Sequence, residues 1–185
     1  MNIAVALDLV GTLVFALSGA LVGVRRDLDL FGIAVLAVSA GTGGWVLRYL
    51  PVALVAAGIG FFYHPGIAKL SSSVRLLDAV GLGFFAIAGT LKALDNGQGA
   101  VVAVLLGVLT GVGGGVIRDV LVAEVPVVLR QEIYALAALV GAAAFVALRE
   151  AEVTKAIAVP ASVALVVALR ILAMRRNWQA PRPRR

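Results

Sequence analysis

Two stretches of this sequence set a guanidinium a few residues beyond a run of glycines: GTGGWVLR at residues 41–48 and GVGGGVIR at 111–118. Glycine costs about 1 kcal/mol relative to alanine inside a helix, so several together mark a point where a helix kinks or unwinds. Gly41, Gly43 and Gly44 make the first such point; Gly111, Gly113, Gly114 and Gly115 make the second. Carbonyl oxygens freed there cannot face lipid and must be buried in protein or line a wet cavity. Hydroxyls stand close by, Ser39 and Thr42 at the first cluster and Thr110 before the second. Carbonyls and hydroxyls are the groups that replace water around a small ion. Arg48, Arg118 and Asp119 supply the charge along such a pathway. The chemistry these residues suit is ion coordination and passage.

Covalent chemistry lacks its reagents. The sequence has no cysteine and a single histidine, His64, which leaves no thiol nucleophile, no disulfide and no Cys/His metal site. The glycine run is no phosphate loop, because no GK[ST] follows it. The expectation is a protein that is not an enzyme, with no catalytic residue, no metal and no cofactor.

Each motif also has a plainer use. Gly107, Gly111 and Gly115 are four apart, the spacing of a close-packing stripe between membrane helices. Duplication of the cluster, with an arginine after each copy, favours the kinked pathway. An intramembrane arginine costs about 2.5–3.5 kcal/mol on insertion scales, and snorkelling to the headgroups is the alternative to lining a cavity. Arg118 has Asp119 beside it, whereas Arg48 is followed by Tyr49 and needs another acid, such as Asp78, or water. Asp8 and Asp78 open two apolar segments at equivalent places, as helix caps or as ion-pair partners. Trp45, Tyr49, Tyr134, Trp178 and His64 suit membrane interfaces.

The elements that must position these groups are membrane helices. The chain has 185 residues, is 62% hydrophobic and has a mean hydropathy of +1.05. A soluble domain of this size leaves too much of its area in water to hide that apolar surface. A bilayer core of about 30 Å requires roughly 20 apolar residues per helix. Seven segments meet or approach this: about 5–24, 31–50, 51–67, 77–94, 100–122, 132–149 and 155–174. The first lacks a basic flank and contains Asp8, so it reads as a retained helix and not a signal peptide. Arg25, Arg26, Lys69, Arg75 and Arg130 fall in loops on one side together with the basic tail at 175–185. The positive-inside rule then places the N-terminus outside and the C-terminus in the cytoplasm. The net charge of +6 therefore points to membrane lipids and not to nucleic acid.

An internal repeat organises the chain. At an offset of 70 residues DLVGTLVFALSGAL (8–21) aligns with DAVGLGFFAIAGTL (78–91), and the two glycine–arginine stretches align with each other. Asp8/Asp78, Gly11/Gly81, Phe15/Phe85, Gly19/Gly89 and Arg48/Arg118 stay in register, which shared hydrophobicity alone would not do. Repeats at about 5–67 and 77–149 hold three spans each, and an odd number inverts the second copy in the bilayer. The expected fold is an all-α polytopic membrane protein, one transmembrane domain over 1–174. It has seven transmembrane helices as two inverted three-helix repeats plus a seventh helix at about 155–174, used for packing or oligomer contact.

These motifs carry a resemblance. DLVGTLVFALSGAL, the LDLFGIAVLAV that follows it and the duplicated GxGG(G/W)V(I/L)R segment resemble the prokaryotic members of the trimeric intracellular cation channels. The resemblance implies a homotrimer in the prokaryotic plasma membrane with one pore through each protomer, conducting monovalent cations, chiefly K+ and with Na+ as the second candidate. It implies that the kinked second and fifth helices line that pore, with the motif on Gly41, Gly43, Gly44 and Arg48 and on Gly113, Gly114, Gly115, Arg118 and Asp119. Trp45 and Tyr49 depart from the pattern in the first copy. A transporter of glycine or another small amino acid is the alternative, because the same repeats can hold a substrate carboxylate at half-helix N-termini.

Overall fold

The computed structural model describes residues 3–41, 46–62, 71–130, 132–176 and 178, with the side chains of 46–49, 71–73, 130 and 132 outside the description. The described residues form eight α-helices and no strand: α1 (Ile3–Arg25), α2 (Leu30–Gly41), α3 (Val46–Phe62), α4 (Ser71–Asp95), α5 (Ala100–Leu121), α6 (Val127–Arg130), α7 (Glu132–Glu150) and α8 (Lys155–Arg175). Five of them, α1, α4, α5, α7 and α8, are long and apolar enough to cross a membrane. Helices are the form such a chain must take, because lipid offers no partner for an exposed backbone N–H or C=O.

The expected second span, about 31–50, is described on either side of residues 42–45, which lie outside the description. Helix α2 is described over Leu30–Gly41, and α3 is already helical at Val46, five residues before the expected start at Pro51. The 12 described residues of α2 make about 18 Å of helix. Its end lies against the middle of α1: a Cβ on Gly41 would stand 3.1 Å from both the Ala16 Cβ and the Thr12 carbonyl oxygen. The second copy departs from the expected break. Helix α5 is continuous from Ala100 to Leu121, straight through Gly111–Gly115, so the expected interruption there is absent.

Helices α1 and α4 form the centre. Phe15 and Phe85 stack at 5.4 Å between ring centroids and 25° between planes. The room for each ring is a glycine on the other helix. A Cβ on Gly81 would lie 2.6 Å from the Phe15 ring, and one on Gly11 would lie 3.2 Å from the Phe85 ring. Both rings are fully buried and cannot swing away. Gly81→Ala is therefore expected to lower the thermal unfolding temperature in detergent more than Gly11→Ala, with an overpacking cost of about 1–3 kcal/mol.

The helix ends match as well as the centres. After α1 the Leu28 N–H donates to the Gly23 carbonyl and the Asp27 N–H to that of Val24; after α4 the Gln98 N–H donates to the Ala93 carbonyl and the Gly97 N–H to that of Leu94. This is the same αL cap seventy residues apart, closing the last orphan carbonyls of each helix. Gly97 at φ +76° adopts it freely; Asp27 at φ +53° is among the few non-glycine types that tolerate it. The cap geometry repeats although RRDLD and DNGQG share no residue.

Around this centre α2 and α3 pack on α1, while α5, α7 and α8 pack on α4. Helix α5 leaves Val101, Leu105, Leu109 and Val120 facing outward, as a helix bordered by lipid or a second subunit does.

Candidate functional site

Small residues let the end of α2 meet the middle of α5. A Cβ on Gly114 would overlap the Ala40 carbonyl oxygen and stand 3.1 Å from Phe15. The last described turn of α2 is thus held against the glycine face of α5. Gly111 packs on α4, where its Cβ would meet Ala86 at 3.1 Å, and Gly107 sits still closer to Thr90. These glycines are contact surfaces for neighbouring helices. Gly113 differs, with nothing within 4 Å of the place a methyl would take.

One turn beyond Gly114, α5 carries a buried charge cluster. Arg118 is 3% exposed, so it does not snorkel. Its Nη1 donates to Asp78 Oδ1 on α4 at 2.8 Å and to Ser18 Oγ on α1 at 2.6 Å. Its Nε and Nη2 donate to Asp119 Oδ1 at 2.9 and 2.8 Å. The second oxygen of Asp119 accepts from the Val127 N–H at 3.0 Å, which ties the connection after α5 to the cluster. One guanidinium therefore joins α1, α4 and α5. Gly115 leaves the space for this, since its Cβ would lie 3.1 Å from the Tyr134 hydroxyl and 3.4 Å from Asp78 Oδ1.

The cluster forms one wall of a cavity of about 520 Å³ whose rim carries Arg25, Arg26, Arg75 and Glu124. Arg26 pairs with Glu124 across that rim. The other end of the bundle has a separate pair, Asp8 with Lys92 at 2.6 Å. Asp8 lies five residues inside α1 and Asp78 seven inside α4, so both act as ion-pair partners and neither caps its helix. Asp78 is held by Arg118.

The structure thus brings together Gly114, Gly115, Asp78, Arg118 and Asp119, and sets Asp8 apart at the opposite end. Thr110 donates to the Leu106 carbonyl at 2.7 Å, bonding the preceding turn of its own helix. Ser39 is half-buried on α2. Thr42, Gly43, Gly44 and Trp45 lie outside the described residues, as does the Arg48 side chain, although Arg48 itself is in the first turn of α3.

Two members went unread in the sequence. Tyr134 is not interfacial; it is 2% exposed, with the Arg170 guanidinium carbon 4.7 Å from its ring centroid. Arg170, also buried, stands in VALVVALRILAMR on α8. The signal was present, because a lone arginine within an apolar span marks a site by default. No group of three or more His, Cys, Asp or Glu side chains with metal-binding geometry occurs among the described residues.

Known proteins share both the sequence pattern and the fold. A family model described as a glycine transporter matches residues 5–53 and 75–150. A UPF0126 membrane protein of Deinococcus radiodurans is 41% identical over 156 residues, 75% of this chain and 73% of that protein. The UPF0126 inner membrane protein YadS of Escherichia coli is 40% identical over 152 residues, 73% of each. Among solved structures, the TRIC trimeric intracellular cation channel orthologue from Rhodobacter sphaeroides aligns with a TM-score of 0.88 and 35% identity, over 96% of this chain and 100% of that one. A prokaryotic TRIC channel in 0.5 M KCl aligns with a TM-score of 0.86 and 30% identity, over 96% and 98%.

Proposed function

Since this chain belongs to the prokaryotic trimeric intracellular cation channel family, we propose that it is a monovalent cation channel, chiefly for potassium, with a pore through each protomer of a homotrimer. The observation that carries this reading is the close approach of α2 to α5. The Ala40 carbonyl oxygen rests on Gly114, one turn of α5 away from the 520 Å³ cavity. A dehydrating cation needs oxygen ligands, and backbone carbonyls beside the bare glycine face of α5 are groups of that kind. Gly41 from the first repeat and Gly113–Gly115 from the second flank this path, with Ser39 and Thr110 as neighbouring hydroxyls; from the sequence motif we assign Thr42, Gly43 and Gly44 to the same lining.

The matched Phe15/Gly81 and Phe85/Gly11 contacts, and the matched caps at Asp27 and Gly97, support two inverted repeats at about 5–67 and 77–149, with a further helix outside them. The cavity rim gathers Arg25, Arg26 and Arg75 on one face, and the positive-inside rule makes that face cytoplasmic, with the N-terminus outside.

The family model's description favours a second reading, a carrier of glycine or a similar amino acid. Such a carrier needs a free cationic or helix N-terminal site for the substrate carboxylate. The Arg118 guanidinium is already occupied by Asp78, Asp119 and Ser18, which argues for the channel. In planar bilayers under a potassium gradient, the purified protein should give step-like currents that added glycine does not block. Silent bilayers with concentrative glycine uptake into proteoliposomes would select the carrier instead.

A further inference from the structure

Helix α8 has no counterpart in the 70-residue repeat, and by sequence alone its duties are packing or oligomer contact. Its Arg170 does more than pack. The side chain is 2% exposed, its guanidinium carbon lies 4.7 Å from the centroid of the Tyr134 ring, and it lines the same cavity as Asp78, Arg118 and Asp119. Two carboxylates and two guanidiniums therefore make up the buried charge of this wall. Without Arg170 the wall would carry one net negative charge, beneath a rim on which Arg25, Arg26 and Arg75 outnumber Glu124.

We infer that Arg170 sets the electrostatic barrier for cations at this cavity, so that the helix outside the repeat tunes conduction through the repeats. The inference rests on the channel reading above. A guanidinium in a low-dielectric wall repels a passing cation far more than the same charge in bulk water. Stacking on Tyr134 holds it at the wall, since a planar cation sits against an aromatic face. Helix α8 thereby offsets the two acids that Arg118 alone would leave unbalanced.

Single-channel potassium conductance of wild type, Arg170→Gln and Arg170→Lys, recorded at about 10 mM and about 1 M KCl, tests this. The two salts span Debye lengths of about 30 Å and 3 Å, so a through-space effect of charge shrinks between them. Arg170→Gln is expected to raise conductance several-fold at low salt and to converge on wild type at high salt. Arg170→Lys, which keeps the charge and loses the planar stack, should stay near wild type at both. Arg170→Met carries the same expectation as the glutamine variant and, being apolar, suits a buried position if Gln prevents assembly. Unchanged low-salt conductance in the neutral variants overturns the inference, and so do equal changes in Lys and Gln at both salts, which would mark a packing role. A wild type that passes no current overturns the channel reading itself, which separates the two failures.

Discussion

Gly114→Ala is expected to destabilise the protein and cut potassium flux at least tenfold, while Gly113→Ala, one residue away, is expected to stabilise it. The added methyl at position 114 would overlap the Ala40 carbonyl oxygen, which is backbone and cannot rotate aside. The end of α2 must then move off α5, at a cost of about 1–3 kcal/mol or more for overpacking. That displacement also removes the carbonyl end of α2 from the proposed path. Position 113 has open space around it, and replacing a helical glycine with alanine there gains about 0.5–1 kcal/mol. Thermal unfolding in detergent, read beside flux from potassium-loaded liposomes, checks both signs. Gly114→Leu should be more severe than Gly114→Ala in both readouts. Equal behaviour of the two alanine variants would show that the α2–α5 contact does not govern either property.

Arg118→Ala is expected to be the most destabilising of the charge substitutions, with a loss of about 3–5 kcal/mol. It strands Asp78 and Asp119 in a buried site and leaves the Ser18 hydroxyl without its donor. The loss comes mainly from uncompensated buried charge, since a buried pair gains little over well-packed apolar groups. Asp78→Asn keeps the volume and leaves Arg118 with Asp119, so it should cost less than Arg118→Ala. By contrast, Glu124→Ala removes only the exposed pair with Arg26, where changes stay within about 1 kcal/mol. The order Arg118→Ala, Asp78→Asn, Glu124→Ala in unfolding temperature tests the assignment. An Arg118→Ala protein as stable as wild type would mean that water, and not the two acids, solvates this arginine.

Much of this was legible in the residues. Asp78, Arg118 and Asp119 stand out because an ionised group inside an apolar span is too costly to keep without a use. Gly11, Gly81, Phe15 and Phe85 stand out because a register of 70 residues preserves them. What the residues did not disclose is which glycines break a helix and which admit a neighbour. Both uses want the same absence of a side chain. In the first copy Gly41 packs on Thr12 and Ala16 of α1; in the second, Gly111–Gly115 continue as helix and receive α2, α4 and Tyr134 against their bare face. The partner of Asp78 was likewise undecided between Arg48 and Arg118, because pairing across forty residues depends on how helices are arranged.

The sequence by itself determined that this protein lives in lipid, that it is helical, and that it repeats, with inversion as the expected consequence of three spans per copy. These follow from composition and periodicity, which act locally along the chain and need no partner to be evaluated. Only the tertiary structure decided that Arg170 and Tyr134 join the charge cluster and that the end of α2 rests on Gly114. Those are contacts between elements far apart in sequence, and their geometry is set by backbones approaching within a carbonyl's reach, a distance that no residue pattern encodes.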